Sequence, residues 1–520
     1  MSRTLNRYPY LLVVLSGLAT GGIYSFGLPA LFLPVLVLPF FWLFIQPDEV
    51  LSFKKSLVLS ACFFFAFYST TFIWFLDTDV SLLAGLDPNM GPIILGFGLL
   101  LISTILTLIS LPFGIMLFKL QAQIKQPNLI ALVLLASAWC VMEWARSLTF
   151  ALFLSAPQAS IGDYWNFGSL GLGLTSTSVG YLSRVVGMYG LSFIAVSLTL
   201  SLGWAINKRY KPLALIVSVV VIASFLSYTV INNGDKALVS ASLLQREGQL
   251  TDIQDSIPIN FNSNSPKDFI LLPEYSGVHL PGNEKFVEKY VTGRMKATGI
   301  NIDVTADFIK PGKRFNTLEA RNKNGKLVDS QTKELLIPTG EYLPSVIQSF
   351  YKLTGQDAIN KSFAQTRRLD RGQPPRVIRT QAVSIAPVAC SGILGRNIYR
   401  QLVNDGGEVL TNSASLLIFN NSKSYLRQSS QMAHFHAVAN NRTYIQASMG
   451  APAFVIDGNG HYTVAPDDTR TEFIDFNFTP NSQKTPYTKY GEWPLTLSGL
   501  ILAAYMLAGL KNKLKPRRST

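Results

Sequence analysis

Residues 9–45 read PYLLVVLSGLATGGIYSFGLPALFLPVLVLPFFWLFI and contain no charged side chain. An apolar run of about 18 residues is typical of a membrane-spanning helix, and this stretch is long enough for two, at 9–26 and 29–45. Only a Gly-Leu-Pro step separates them. Because the first run continues into the second without a small-residue cleavage site, we expect a retained span rather than a secretory signal.

Similar runs recur through the first half of the 520-residue chain and once near its end. We predict eight spans, near 9–26, 29–45, 56–76, 92–118, 128–150, 189–206, 213–231 and 493–510. With 48% hydrophobic and 15% charged residues, the composition excludes a disordered chain and disfavours an ordinary soluble enzyme. The sequence therefore predicts a membrane domain at 1–231, a soluble domain at 232–492, and a last span with a basic tail at 493–520.

Lysine and arginine residues mark one side of the predicted spans. They occupy the N-terminus (Arg3 and Arg7), the second, fourth and sixth connections and the C-terminal tail, whereas the third connection, 77–91, is acidic. Basic connections remain in the cytoplasm. We therefore expect a bacterial inner-membrane protein with both termini cytoplasmic and residues 232–492 periplasmic. Of the net charge of +14, the two membrane parts carry +9, which favours topology signals over nucleic-acid binding.

Residues 232–492 alternate strand-like and helix-like runs. Predicted strands are 237–245, 268–273, 300–308, 314–321, 326–330, 380–389, 407–412, 443–449, 452–457 and 472–478. Predicted helices are 283–298, 393–404 and 423–440. Strands interleaved with helices indicate a layered α/β fold.

Two features of the membrane part leave alternatives open. The fifth connection, 151–188, lies on the membrane surface, folds over a site or is a mobile loop. Glu143 and Arg146 lie three residues apart, on one face of the fifth span. We favour a structural role for them, in which the two charges neutralise each other, over a polar cavity.

Three residues with reactive side chains lie beside predicted strands. Glu274 follows FILLP, Lys333 precedes LLIP, and Cys390 follows AVSIAPVA. Reacting groups in α/β sheets gather where strands end. A carboxylate can take a thiol proton, a cation can stabilise an oxyanion, and a thiolate is a nucleophile. From spacing alone a structural role is favoured, since a lone buried cysteine usually packs as a small hydrophobe.

The order of these residues and the sequence motifs around them resemble those of the nitrilase superfamily. With the multi-span first half and the single span at the end, the whole chain resembles the apolipoprotein N-acyltransferase family. The resemblance rests on the following motifs: LPEYSG, RFNT, TKELLIPTGEYLP (332–344, the lysine loop), EWAR, YGLSF, QMAHFHAVANNR, GAPAFVIDGNG and YTKYGEWPL. The resemblance covers nearly all 520 residues and implies a nitrilase-like αββα sandwich for the soluble domain.

The resemblance also implies roles for four residues. Glu274 would be the general base, Lys333 the oxyanion stabiliser and Cys390 the nucleophile. Glu341, in the lysine loop, would orient the lysine or assist the base. A carboxylate that caps a turn is an equal alternative for Glu341.

The activity that the resemblance implies is transfer of an acyl chain from a phospholipid, through a thioester on Cys390, to the N-terminal amine of a diacylglyceryl-cysteine apolipoprotein. It implies a monomer and no cofactor, and the four histidines show no paired metal-ligand spacing. Two alternatives stay open. One is a nitrilase-like amidase or acyltransferase acting on another periplasmic amide or amine, and the other is a catalytically inactive membrane scaffold.

Several motifs differ from the pattern of the family. Ser391-Gly392 follow Cys390 where the family usually has Tyr-Glu, and Thr339 stands where Phe is common. The first strand region, LLQREGQLTD, lacks the Trp that is usual in the family. The stretch TNSASLLIF stands where the family has an Asn-Asp-x-Trp motif. In the family these positions help to shape the acyl-chain and acceptor pockets. The departures leave the nucleophile intact and make a divergent paralogue an alternative.

Overall fold

The computed structural model describes most of the chain. The described residues are 8–46, 50–80, 89, 91–229, 236–246, 265–279, 282–310, 312–464 and 471–514. Arg3, Arg7 and Asp87, on which the predicted orientation partly rests, lie outside them, as does the predicted domain boundary at 231. The division into domains and the orientation therefore stay predictions.

Apolar helices build the first part of the described chain. They are α1 (Pro9–Ser25), α2 (Leu33–Ile45), α3 (Phe53–Thr71), α4 (Gly91–Ile124), α5 (Leu129–Phe153), α6 (Ser183–Ile206) and α7 (Lys211–Thr229). Five segments of the described residues are long and apolar enough to cross a membrane, namely Phe53–Asp77, Gly91–Ile124, Leu129–Phe153, Ser178–Ile206 and Lys211–Tyr228. Shorter apolar helices are Pro9–Ser25, Ala30–Ile45 and Trp493–Gly509. The predicted helical membrane part is confirmed.

Two glycines let α1 approach α3 closely. A Cβ atom added at Gly17 would lie 2.4 Å from the carbonyl oxygen of Phe63, and one at Gly21 would lie 2.6 Å from the Thr70 Cβ. Small residues four positions apart allow such contacts in membranes, where packing drives helix association. At the end of α1, Ser25 Oγ donates to the Thr70 carbonyl oxygen at 2.7 Å. The end of α3 is thereby fixed against α1.

The second part of the chain contains strands and further helices. The strands are β1 (Val239–Arg246), β2 (Lys267–Glu274), β3 (Met295–Lys310), β4 (Lys313–Asn322), β5 (Leu327–Thr332), β6 (Ile378–Arg379), β7 (Ser384–Ala389), β8 (Val409–Ser415), β9 (Thr443–Met449), β10 (Phe454–Ile456), β11 (Tyr462–Val464) and β12 (Glu472–Phe478). The longer helices are α8 (Ser345–Leu353), α9 (Asp357–Thr366), α10 (Arg396–Asn404), α11 (Lys423–Asn440) and α12 (Trp493–Leu514).

All twelve described strands are joined in one mixed sheet. Nine follow the order β5-β4-β3-β2-β1-β9-β8-β7-β6, while β12 pairs with β1, and β10 pairs with β9 and β11. The predicted α/β fold is confirmed. Parallel pairing joins β1 to β2 and β9, and β8 to β7 and β9. The carboxyl ends of these five strands therefore meet at one edge, where reacting groups gather in α/β sheets.

The helix predicted at 283–298 is confirmed only in part. Short helical turns run from Glu284 to Arg294, and β3 begins at Met295. Met295 pairs with Lys267 of β2, so strand pairing ends the helical turns four residues before the predicted end.

Two further differences lie on either side of β6. The predicted strand 380–389 is interrupted, because Thr380 Oγ1 accepts hydrogen bonds from the backbone N–H groups of Ala382 and Val383, at 3.2 and 3.0 Å, and closes a turn. Helices α8 and α9, which were not predicted, occupy the chain between the lysine loop and β6.

The sheet lies directly on the ends of the membrane helices. From α11, Gln428 Nε2 donates to the Thr71 carbonyl oxygen at 2.8 Å, and Arg427 Nη1 donates to that of Ser25 at 2.6 Å. From the start of α6, the buried Arg184 donates to the carbonyl oxygen of Gly458 at 2.7 Å. These contacts hold the sheet at a fixed position above the bundle.

Candidate active site

The four residues singled out in the sequence meet at the edge formed by the strand ends. Glu274 is the last residue of β2, Lys333 directly follows β5, and Cys390 directly follows β7. Lys333 Nζ lies 3.0 Å from Glu274 Oε1 and 2.7 Å from Glu341 Oε1. The side chains of Glu274, Lys333 and Cys390 are buried. The structure thus brings together an acid, an ammonium group and a thiol that are far apart in the chain.

The carboxylate of Glu274 is held by several donors. Asn316 Nδ2, from β4, donates to Oε1 at 2.5 Å, in addition to Lys333 Nζ. The backbone N–H of Ser415, at the end of β8, donates to Oε2 at 3.2 Å. Asn316 and Ser415 were not predicted as site residues, although Asn316 lies in the motif RFNT. Its place in that motif was the signal available in the sequence.

Glu341 combines the two roles that the sequence left open. Its Oε1 accepts from Lys333 Nζ, and its Oε2 accepts from the backbone N–H of Ile337 at 2.8 Å. The carboxylate therefore closes the turn of the lysine loop and orients the lysine at the same time. Thr339, in the same turn, has a left-handed backbone with φ +65°.

Cys390 lies on a sharp turn between β7 and the 3₁₀ segment Cys390–Leu394. Its φ of +45° is uncommon for a residue other than glycine, and such strain is retained where the surroundings hold it. Asn412 Nδ2 donates to the Cys390 carbonyl oxygen at 3.2 Å, and Sγ lies 3.5 Å from the Ser415 carbonyl oxygen. The turn thus presents the thiol to Glu274.

Ser391 and Gly392, the departures from the family pattern, fit this turn. The hydroxyl of Ser391 donates to the carbonyl oxygen of Leu335, which ties the turn to the lysine loop. A Cβ atom at Gly392 would lie 2.6 Å from Val388 Cβ, so the Val388 side chain of β7 leaves no room for a side chain here.

Burial and neighbouring charges set the protonation of the site. Burial, and next the charge of Glu274, raises the pKa of the Cys390 thiol well above its usual value. Burial alone would lower the pKa of Lys333, but the carboxylates of Glu274 and Glu341 outweigh it and raise that pKa. The resting site therefore contains a thiol, an ammonium group and a carboxylate that can act as a base.

An aromatic cluster connects the site with the end of α3. Tyr425 stacks on Phe419 with ring centroids 3.4 Å apart, and Trp74 contacts Tyr425 at 5.2 Å and Phe419 at 5.5 Å. Trp74, Phe419, Tyr425 and Cys390 belong to one buried apolar cluster. Trp74 belongs to the segment Ile73–Asp77, directly after α3.

The fifth connection folds against the lysine loop. Ser160 Oγ donates to the Glu334 carbonyl oxygen at 2.9 Å, and the Tyr342 hydroxyl donates to that of Leu154 at 3.0 Å. These contacts support the alternative in which the connection folds over a site.

Glu143 and Arg146 are buried and take separate partners. The carboxylate of Glu143 accepts from Trp139 Nε1 and the Leu170 backbone at 2.8 Å, and from Ser192 Oγ at 2.6 Å. The guanidinium of Arg146 lies over the ring of Tyr68, 5.2 Å from its centroid. No ion pair joins the two charges within the described part of the chain. These polar contacts agree with the favoured structural role, although no direct contact joins the two charged groups.

Comparison with known proteins identifies relatives along most of the chain. A protein named apolipoprotein N-acyltransferase from Shewanella oneidensis is 23% identical over 417 residues, which cover 74% of this chain and 74% of the relative. One of the same name from Rickettsia prowazekii is 24% identical over 409 residues, covering 71% and 75%. One from Vibrio vulnificus is 23% identical over 247 residues, covering 45% and 46%.

No protein-family model matches the chain. Among solved structures, an amidase from Nesterenkonia covers 50% of this chain and 97% of its own, at 13% identity and a TM-score of 0.34. A carbon-nitrogen hydrolase from Helicobacter pylori covers 54% and 99%, at 13% identity and a TM-score of 0.33. The resemblance drawn from the sequence words is confirmed, since over about three quarters of its length the chain is similar to proteins named apolipoprotein N-acyltransferase.

Proposed function

We propose that this chain transfers an acyl chain from a phospholipid, through a thioester on Cys390, to the N-terminal amine of diacylglyceryl-cysteine apolipoproteins. The observation that carries the proposal is the contact of Lys333 with Glu274 and Glu341 beside the Cys390 turn. The contacts of α11 with the ends of α1 and α3 support it, as do the names of the relatives.

In the first half reaction, Glu274 takes the thiol proton while Sγ attacks the ester carbonyl carbon. A C–S bond forms, and the carbonyl oxygen becomes an oxyanion that Lys333 stabilises. When the C–O bond breaks, the leaving alkoxide receives the proton from Glu274. The products are an acyl-enzyme and a lysophospholipid. Because the pKa of the thiol is raised at rest, proton transfer and attack have to be coupled.

In the second half reaction, the acceptor amine attacks the thioester carbonyl carbon. An N–C bond forms, Lys333 again stabilises the oxyanion, and the C–S bond breaks. Glu274 takes the amine proton and returns it to the sulfur, so the free thiol is restored. The aromatic cluster of Trp74, Phe419 and Tyr425 provides an apolar surface between α3 and the thiol that suits an acyl chain.

Both substrates are lipids anchored in a bilayer, and this accounts for a thiol enzyme built on membrane helices. We propose a multi-pass protein of the bacterial inner membrane that acts as a monomer, with the sheet in the periplasm and both termini in the cytoplasm.

The test is labelling of the full-length protein in detergent with a phospholipid that carries a radioactive acyl chain. The wild type should acquire label that hydroxylamine releases, and Cys390→Ala should acquire none. Cys62→Ala, in α3 and away from the site, is the matched control and should be labelled like the wild type. Label on Cys390→Ala would contradict the thioester scheme.

A second candidate function keeps the chemistry and changes the acceptor. Ser391 and Gly392 stand directly after the nucleophile, where the family usually has Tyr and Glu, and this change of residue type beside the thiol favours another periplasmic amide or amine as substrate. Expression in a bacterium depleted of its own lipoprotein N-acyltransferase separates the two. Restored growth and N-acylated lipoproteins support the proposal, and thioester formation without N-acylation supports the second candidate.

A further inference from the structure

Tyr275 directly follows the proposed base and has an unusual backbone conformation. Its φ is +59°, in the left-handed region that residues other than glycine rarely adopt. Its backbone N–H donates to the Val304 carbonyl oxygen at 2.8 Å. Strain of this kind persists where surrounding structure enforces it, and it occurs often at functional sites.

The next residue holds Tyr275 in place. Ser276 Oγ donates to Asp303 Oδ1 at 2.9 Å and accepts from the backbone N–H of Val278 at 3.1 Å. The carbonyl oxygen of Ser276 accepts a hydrogen bond from the guanidinium of Arg246, at the end of β1. The backbone is therefore fixed on both sides of Tyr275. These backbone contacts, and not contacts of the ring itself, set the direction of the Tyr275 side chain.

Tyr275 is partly exposed, although it directly follows the buried base. The residue is 40% exposed, whereas the neighbouring Glu274 is 2% exposed. Burial of the phenol group, and next the charge of Glu274, raises the pKa of Tyr275, and Glu341, Lys333 and Cys390 also act on it electrostatically. The phenol is thus a neutral hydroxyl, able to donate and to accept, on the residue next to the base.

The hydrogen-bond partners of Glu274 show where another acceptor is needed. Its Oε1 already accepts from Asn316 and Lys333, and its Oε2 accepts from the backbone of Ser415. A thiol has one hydrogen, which Glu274 can take unaided. A primary amine that attacks a thioester has two, of which one goes to the base and the other needs an acceptor. In the described part of the chain, no hydrogen bond engages the Tyr275 hydroxyl.

We propose that Tyr275 is a further substrate-contacting residue, whose hydroxyl oxygen accepts a hydrogen bond from the acceptor amine in the second half reaction. This inference rests on the proposed function. The hydroxyl orients the nitrogen lone pair toward the thioester carbon and exchanges no proton. The N–C bond forms, the C–S bond breaks, and the proton passes through Glu274 to sulfur as before.

The experiment measures the two half reactions separately with Tyr275→Phe, which keeps the ring and the backbone and removes only the hydroxyl. Label transfer from phospholipid to the enzyme should stay within about twofold of the wild type. Transfer from the acyl-enzyme to a diacylglyceryl-cysteine peptide amine should slow by about fivefold or more, the effect of one lost hydrogen bond. Tyr490→Phe, an exposed tyrosine before α12, is the matched control and should change neither rate.

Equal slowing of both half reactions, or of neither, would overturn the inference. A second variant, Tyr275→Gly, relieves the left-handed strain, so it should fold at least as well as the wild type and yet show the same selective loss. Fast transfer in Tyr275→Gly would also overturn the inference. If the wild type itself takes no label on Cys390, the proposed function fails; if it does and only the Tyr275 results differ, the inference alone fails.

Discussion

The guanidinium of Arg396, at the start of the helix that follows the nucleophile turn, pairs with the carboxylate of Glu492, directly before the last span. Arg396 also pairs with Asp163 in the fifth connection. The same Glu492 carboxylate accepts from the backbone N–H groups of Met188 and Tyr189, at 3.0 and 3.1 Å. The buried ion pair between Arg396 and Glu492 therefore joins α10, α6 and the last span.

This pairing predicts that Glu492→Gln lowers stability although the residue lies outside the reacting groups. Arg396 would keep Asp163 but lose a buried charged partner, for which we expect a loss of about 2 kcal/mol and a lower thermal midpoint in detergent. Asp357→Asn, which removes an exposed pair with Lys361 in α9, should change the midpoint little. An unchanged midpoint in Glu492→Gln would show that the pair does not stabilise the junction.

Asn316 is predicted to position the base. In Asn316→Ala the Glu274 carboxylate loses a charge-assisted hydrogen bond, so its orientation toward the thiol becomes less defined. We expect acyl-enzyme formation to slow by roughly 10- to 100-fold with little change in phospholipid affinity. Single-turnover labelling over a range of phospholipid concentrations separates the two effects. Asn404→Ala, whose amide bonds the Thr488 carbonyl oxygen away from the site, is the control. A change in affinity alone would contradict the positioning role.

Gly392→Glu, which introduces the residue type usual in the family, should impair the protein rather than improve it. The new Cβ atom would lie 2.6 Å from Val388 Cβ, so β7 or the nucleophile turn has to shift. Overpacking of this kind costs about 1–3 kcal/mol. Gly392→Ala should already lower the thermal midpoint. A stable Gly392→Glu variant with faster acyl transfer would mean that the turn adapts to the larger residue.

The sequence was sufficient to predict that Glu274, Lys333 and Cys390 come together, because each lies beside a predicted strand or apolar run, in a motif that resembles a known family. It did not indicate Asn316 or Ser415, since their roles depend on how strands pair. Ser415 reaches Glu274 across 141 positions of sequence through the arrangement of β2, β1, β9 and β8. No local pattern encodes such a contact.

The helix predicted at 283–298 ends early for a related reason. Its residues have a moderate helix preference, but Met295 pairs with Lys267 of β2 and begins a strand there, which the local sequence does not show. The left-handed backbone of Tyr275 was equally hidden from the sequence, because tyrosine carries no preference for it.

The reactivity of Cys390 should depend on pH in a way that identifies its neighbours. Since burial and then the charge of Glu274 raise the pKa of the thiol, little thiolate exists at pH 7, and alkylation by iodoacetamide should be slow and still rising above pH 9. Glu274→Gln removes the carboxylate charge and lowers the pKa, so alkylation at neutral pH should become faster while acyl transfer is lost. Lys333→Met removes the charge that lowers the pKa, so alkylation should become slower.

The two variants should change the alkylation rate of Cys390 in opposite directions. This difference is the test, because a general loosening of the site would accelerate alkylation in both. Rates are measured by mass spectrometry of the Cys390 peptide between pH 6 and 10, with Cys140, buried in α5, as the internal control in the same sample. Slower alkylation of Glu274→Gln at neutral pH would mean that the carboxylate does not act on the thiol, and the assignment of Glu274 as its base would then be untenable.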